Sequence, residues 1–254
     1  MYSRQSQPRS DAAHRQMFRA SALILTAVFV ALSNTARADR IPPITLETSE
    51  GPIVMHPLKH GSVRITFLKK HYYIDPAQLP AGVDYPKADV ILITHEHGDH
   101  LDPAEIKKLS TPKTIVIANT NSQKKLGYGE VMKNGDKKQV LDITVEAVPA
   151  YNIVRAQYHP KGRDNGYILT MAGKRIYFAA DTEATPEMKA LKNIDVAFLP
   201  INLPYTMSPA EAVEAARAFK PKVLVPYHQG SSNPQEIADA LKDTMIDVEV
   251  RKLP

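Results

Sequence analysis

His95-Glu-His-Gly-Asp-His100 places three imidazoles and a carboxylate, those of His95, His97, Asp99 and His100, within six residues. The run before it, Asp89-Val-Ile-Leu-Ile-Thr94, is apolar between polar ends and reads as a buried strand. The run after it opens a helix, with Asp102 as N-cap, Pro103 at the first helical position and Glu105 as the third-position partner. The hexapeptide therefore sits on a strand-to-helix turn, where open α/β sheets build their sites. His95 and His97, two apart on extended backbone, point the same way toward one metal ion; Asp99 and His100, past Gly98, turn toward a second. Imidazole and carboxylate are the donors expected for zinc-like ions. The alternative is a histidine-rich polar surface loop, but four ligand-type residues on one such turn favour metal.

Residues 1–38 read as a secretory signal peptide. Arg4, Arg9, Arg15 and Arg19 precede an uncharged run from Ala20 to Ser33, and Thr35-Ala36-Arg37-Ala38 puts small residues at the −3 and −1 positions for cleavage after Ala38. The apolar run is short for a membrane span, which leaves an uncleaved anchor as the alternative. The expectation is export, to the periplasm or outside the cell, with no stable membrane insertion after cleavage. Residues 39–254 then form one sizeable domain with a full core. Of 32 basic and 27 acidic residues the leader holds five and one, so residues 39–254 carry a net charge of about +1. That gives no basic footprint for nucleic acid, and none is expected as a partner. The chain has no cysteine, which excludes disulfides, thiolate metal sites and cysteine nucleophiles.

Strand-like runs follow one another along the chain: Ile53–Met55, Val63–Phe67, Tyr72–Ile74, Thr114–Ile117 and Ile143–Val148. A Lys/Gly-rich stretch at 124–138 separates the last two. Tyr167–Met171 and Arg175–Ala179 flank Ala172-Gly173, a hairpin turn, and Val196–Leu199 and Val223–Val225 are buried-strand runs. Ser208-Pro209-Ala-Glu211 is a capping box that opens a helix ending before Pro221, with Val213, Ala216 and Phe219 on its core face. A further helix covers 234–241. Two β-rich halves with helices outside predict a sandwich of two sheets covered on both faces.

Two ions need more donors than the hexapeptide holds, and strand ends supply them. Asp181 follows the strand Arg175–Ala179, where a carboxylate can bridge two cations; capping the segment 183–192 is its alternative role. His228 follows Val223-Leu-Val-Pro-Tyr227 and precedes Gly230.

Thr94-His-Glu-His-Gly-Asp-His100, Ala180-Asp181-Thr182 and Pro226-Tyr-His228-Gln-Gly230 together resemble the metallo-β-lactamase-fold hydrolase superfamily. The branch most alike contains L-ascorbate-6-phosphate lactonase-like proteins and other metal-dependent hydrolases, whose early segment resembles His60-Gly-Ser-Val63 and Ile74-Asp75-Pro76. The likeness runs from about Gly51 to the C-terminus. It implies an α/β fold, an αββα four-layer sandwich, with two divalent metal ions, usually Zn2+, between the sheets. It assigns His95 and His97 to the first metal, Asp99, His100 and His228 to the second, and Asp181 to both, with Asp75 supporting a ligand imidazole. One position departs from the pattern. Where the family offers a third histidine for the first metal, this chain has Asn152, and His159 lies seven residues later. His159 is favoured because imidazole is the better zinc ligand; Asn152 remains the alternative.

The resemblance implies an enzyme: a hydrolase using metal-bound hydroxide on a small-molecule ester, lactone, amide or phosphodiester, with Asp99 orienting the hydroxide and receiving a proton. His60 and Tyr205 are candidate substrate contacts, and Lys161 and Arg163 suit an anionic group or are simply solvated. His56 and His71 are read as surface or strand-packing residues. A β-lactamase and a non-catalytic metal- or ligand-binding module of the same fold are the alternatives. Fold alone does not choose the substrate.

Overall fold

Side chains alternate across a strand, so each strand that is buried on both faces feeds two different cores. In β5 (Val90–Ile93) Val90 and Leu92 join one apolar cluster while Ile91 and Ile93 join another. In β12 (Val196–Pro200) Val196 and Phe198 face the first cluster, and Ala197 and Leu199 face a third. The computed structural model describes residues 41–253. The expected signal peptide and its cleavage site lie outside the described residues.

The first sheet runs in sequence order: β1 (Ile44–Leu46), β2 (Ile53–Lys59), β3 (Ser62–Phe67), β4 (Lys70–Ile74), β5, β6 (Ile115–Ala118) and β7 (Glu130–Val131). The second holds β8 (Lys137–Val140), β9 (Ile143–Ala150), β10 (Asp164–Met171), β11 (Lys174–Phe178), β12, β13 (Val223–Tyr227) and β14 (Asp247–Val248), again in order. Each sheet begins as a four-stranded antiparallel meander and ends in parallel pairs, so the two halves share one topology. This is a duplication of architecture that no sequence repeat discloses.

Between the sheets lies a dry core that includes Met55, Ile65, Phe67, Tyr167, Phe178, Phe198 and Tyr227. Outside the first sheet, Ile106 and Leu109 of α1 (Pro103–Leu109) pack on Ile91, Ile93 and Val116. Outside the second, Met188 of α3 (Pro186–Lys189), Ala212, Ala216 and Phe219 of α4 (Pro209–Phe219), and Ile237 and Leu241 of α5 (Gln235–Leu241) cover Tyr177, Ala197 and Leu224. The order of layers is αββα, as the sequence predicts.

Local signals read from sequence recur in the structure. Asp102 accepts hydrogen bonds from Ala104 and Glu105 N–H, and the Ser208/Glu211 capping box is complete. Ala172 and Gly173 both have positive φ, as the tight hairpin turn between β10 and β11 requires.

The stretch 124–138, read only as Lys/Gly-rich, contains the end of α2 (Thr120–Leu126), capped by Asn119 and ended by left-handed Gly127, and the edge strands β7 and β8. One reading of a core face needs correction. On α4, Val213 is only partly buried; Ala212 and Ala215 join Ala216 and Phe219 in the core face. The cap before α3 is Thr185, not Asp181, which leaves the Asp181 carboxylate free for the site.

Candidate metal centre

The parallel strands deliver their C-terminal ends to one edge of the sandwich, and the polar cluster collects there. β4 leads into Asp75, β5 into Thr94–His100, β11 into Asp181 and β13 into His228. One donor atom each from His95, His97, His159 and Asp181 lie within 4.8 Å of one another. The same holds for His100, Asp181 and His228, and for His60, Asp99 and His228. All seven expected ligands are thus brought together, and His60 with them.

Hydrogen bonds around the cluster set which imidazole nitrogens face inward. Buried Asp75 accepts from Thr94 N–H at 2.8 Å and from the Thr94 hydroxyl at 2.6 Å. With its proton committed to Asp75, Thr94 Oγ1 accepts from His95 Nδ1, 2.9 Å away, so His95 Nε2 is left as a bare lone pair. That Nε2 is buried and has no hydrogen-bond partner. His100 Nδ1 donates to Asp75 Oδ2 at 2.8 Å, and His159 Nδ1 to Asp164 Oδ2 at 3.0 Å, which turns both Nε2 atoms the same way. Asp164 is itself fixed by Arg163, at 2.7 Å to Oδ1 and 2.9 Å to Oδ2.

These lone pairs converge on Asp181. Its Oδ2 lies 3.3 Å from His159 Nε2 and 3.9 Å from His95 Nε2, while Oδ1 lies 3.3 Å from both His100 Nε2 and His228 Nε2. His100 and His228 bring their Nε2 atoms within 3.1 Å of each other. Inward-facing lone pairs this close, around a two-sided carboxylate, fit divalent cations.

Electrostatics agree. Burial pushes the Asp181 carboxyl up, but His228 and His100 outweigh it and hold the group well below the usual carboxylate range. Asp99 is likewise held well below, with burial opposed by hydrogen bonds to His228 and His60. Burial pulls His95 and His97 down, helped by neighbouring imidazoles. His100 and His159 move up against burial: Asp181 and Asp75 raise His100, and Asp164 and Asp181 raise His159. The same carboxylates that draw a proton to these Nε2 atoms draw a cation there, and metal binding displaces the proton.

His159 is in the cluster and buried, despite the seven-residue offset. The peptide N–H of Asn152 donates to His159 O at 2.8 Å, so the loop doubles back and returns His159 to the end of β9. Asn152 serves as brace: its amide donates to the Tyr205 and Arg155 carbonyls at 2.7 and 3.3 Å. His60 Nε2 meets Asp99 Oδ2 at 3.2 Å, and its ring centroid lies 3.6 Å from that of His228. Gly61 lets the His100 and His228 rings lie close to the backbone, since a Cβ there would fall 2.9 Å from His100 Cε1 and 3.4 Å from His228 Cδ2.

A cavity of about 270 Å³ opens over the cluster, lined by His97, Asp99, Tyr158, His159, Asp181, Asn202, Tyr205 and His228. Tyr205, a sequence candidate, is in its wall. Lys161 is instead paired with Glu187, and Arg163 with Asp164. His71 in β4 bonds Thr66, and His56 lies in β2, so neither belongs to the site. Sequence reasoning did not single out Asp164 or Asn202. Asn202 follows β12 at the same edge, the signal that identified Asp181 and His228; Asp164 opens β10 beside Arg163 and carried no such signal.

Residues 54–228 match the family model described as β-lactamase superfamily domain. The UPF0173 metal-dependent hydrolase of Pyrococcus abyssi is 33% identical over 182 residues, covering 66% of this chain and 81% of the relative. That of Koribacter versatilis is 35% identical over 194 residues, covering 68% and 83%. Among solved structures, a protein from Parabacteroides distasonis assigned as a metal-dependent hydrolase is 50% identical with a TM-score of 0.80, covering 84% of this chain and all of that one. A metallo hydrolase from Ignicoccus hospitalis, 23% identical with a TM-score of 0.67, shares the fold over 80% of this chain and 95% of its own.

Proposed function

The chain belongs to the β-lactamase superfamily domain family and is a metal-dependent hydrolase, and from that premise we propose that it works with two divalent cations held on either side of Asp181. His95, His97, His159 and Asp181 would hold the first; Asp99, His100, His228 and Asp181 would hold the second. Zinc suits a donor set of imidazoles and carboxylates. The observation that carries this reading is the division of labour on Asp181, each oxygen facing its own pair of imidazole nitrogens at 3.3 to 3.9 Å.

When bound, such cations acidify water and draw charge from the oxygen of the group being cleaved. The protein supplies the rest. Asp75 and Asp164 hold His100 and His159 in the tautomer that presents Nε2, and Thr94 does so for His95. Asp99 and Asp181 both line the cavity, but the Asp99 side chain is 36% exposed against 4% for Asp181, so it is the more accessible carboxylate. There it orients water and receives its proton, with His60 steadying its Oδ2. The substrate is a small-molecule ester, lactone, amide or phosphodiester; the net charge of about +1 on residues 39–254 argues against nucleic acid.

Export to the periplasm or beyond is part of the proposal and rests on the leader features of residues 1–38. Among the described residues no helix is long and apolar enough to cross a membrane.

The test is metal-reconstituted protein assayed against a panel of esters, lactones and phosphodiesters, alongside His97→Ala and Asp181→Ala. Each variant is expected to lower metal content and to abolish hydrolysis. Unchanged metal in both would overturn the assignment.

A further inference from the structure

We propose that Asn202 is a substrate-binding residue, donating its side-chain amide to the carbonyl oxygen of an uncharged acyl substrate whose apolar part rests on Tyr205. The inference rests on the hydrolase reading above and assigns that site its substrate class.

The Asn202 amide is the cavity's one side chain that is neither an expected ligand nor an aromatic wall. It makes no hydrogen bond within the described residues, although the backbone on both sides of it is fully engaged. Asn202 N–H donates to Thr206 Oγ1 at 2.7 Å, and Asn202 O accepts from Tyr205 and Thr206 at 2.9 and 3.0 Å. A polar group held in place with its own hydrogen bonds unspent, in a cavity shared with the metal cluster, is positioned for a ligand.

Its placement depends on Gly230. A Cβ at that position would stand 2.0 Å from Asn202 Oδ1 and 2.6 Å from Cγ. Gly230 also has φ +53°, in the left-handed region. The amide therefore occupies the space a side chain at 230 would need, two residues after His228. With no hydrogen bond of its own, the amide can turn its Nδ2 to an acceptor in the cavity.

The loop carrying Asn202 is rigidly braced. Asn152 Nδ2 donates to Tyr205 O at 2.7 Å, and Arg155 Nη2 to Thr206 O at 3.1 Å. Arg155 also contacts Glu183 at 2.7 Å and Glu211 at 3.1 Å, and Glu183 accepts from the peptide N–H groups of Ile153, Val154 and Arg155. On this frame the exposed side chains are apolar: Leu203, Tyr205, Ile153 and Val154. Tyr205 meets Tyr158 edge to face at 5.0 Å, forming the cavity's aromatic wall. Apolar surface displayed on a braced rim beside a site marks a binding surface.

Charge selects the acyl class. The basic side chains of the neighbouring loop are each neutralised by a carboxylate: Arg155 by Glu183 and Glu211, Lys161 by Glu187, Arg163 by Asp164. The cavity wall thus offers a neutral donor and an aromatic face, which match a carbonyl oxygen and an apolar substituent.

The test uses the metal-loaded full chain with Asn202→Ala, Asn202→Asp and Gly230→Ala. Binding of the neutral phenylacetamide is measured by calorimetry, metal content by elemental analysis, and hydrolysis of phenyl acetate and of bis(p-nitrophenyl) phosphate in every variant. Expected are wild-type metal content in all three variants, phenylacetamide affinity reduced at least tenfold in each, and in Asn202→Ala a fall of at least tenfold in kcat/KM for the acyl ester while that for the phosphodiester holds. Asn202→Asp keeps the shape beside Gly230 and removes the N–H donor, so a purely structural role would leave it at wild-type affinity, and that result overturns the inference. So does a wild type that fails to bind phenylacetamide, or an Asn202→Ala variant in which both substrates fall equally. A wild type that binds phenylacetamide through Asn202 but cleaves nothing would overturn the hydrolase reading and leave the Asn202 assignment standing.

Discussion

Asp164→Asn should weaken one metal site and leave the other alone. Asp164 is fully buried, and its carboxylate accepts from His159 Nδ1 at 3.0 Å while also taking Arg163 Nε at 2.7 Å and Nη2 at 2.9 Å. An amide of the same shape has one acceptor oxygen instead of two. Its NH2 must then face either the imidazole N–H or the guanidinium, donor against donor, and one partner is left unpaired at about 1–3 kcal/mol. If the imidazole loses its partner, His159 is no longer held with Nε2 toward Asp181. Loss of such an orienting group typically lowers metal affinity about 10–100-fold, or about 1.4–2.7 kcal/mol. His100 is oriented by Asp75 and has no contact with Asp164, so the site on the other side of Asp181 should keep its affinity. The assay is competitive chelator titration of zinc, which resolves two binding steps. A fall in one step only is expected. Equal weakening of both steps, or of neither, would refute the argument that each imidazole is held by its own buried carboxylate.

Gly61→Ala puts a methyl 2.9 Å from His100 Cε1 and 3.4 Å from His228 Cδ2, so metal content should drop toward one equivalent while circular dichroism stays native. Chelation should lower Tm: at metal concentrations of about 100 times Kd, each site contributes ~2.7 kcal/mol, worth roughly 5–11 °C in a domain of this size by thermal scan. Tyr227→Phe removes the oxygen that accepts from Ala180 N–H at 3.0 Å, next to Asp181, and should cost about 1–3 kcal/mol in denaturant unfolding; a loss under 0.5 kcal/mol would mean water replaces the hydroxyl.

The site was legible wherever chemistry and strand ends coincide. His95–His100, Asp181 and His228 each follow an apolar run, and burial of both strand faces makes such runs conspicuous. His159 is different. Its place depends on one peptide hydrogen bond, Asn152 N–H to His159 O, that folds seven residues into a return loop, and no local pattern encodes that closure. α2 escaped because it buries almost nothing: of Thr120–Leu126 only Ser122 is buried, so no apolar periodicity appears. β7 and most of β8 are exposed edge strands, Lys- and Glu-bearing, which suits an unpaired edge and hides the strand signal. Asp164 acts on His159, whose own place depends on that loop closure, and Asn202 lies against Gly230 of a different strand end, so neither role shows as a local pattern.

Whether Asp181 stands between two cations is tested directly by a crystal of the zinc-reconstituted protein, with anomalous difference maps collected on both sides of the zinc absorption edge. The expected result is two zinc peaks, one among His95, His97, His159 and Asp181 Oδ2, the other among Asp99, His100, His228 and Asp181 Oδ1. A single peak, or two peaks that leave Asp181 unligated, would contradict it.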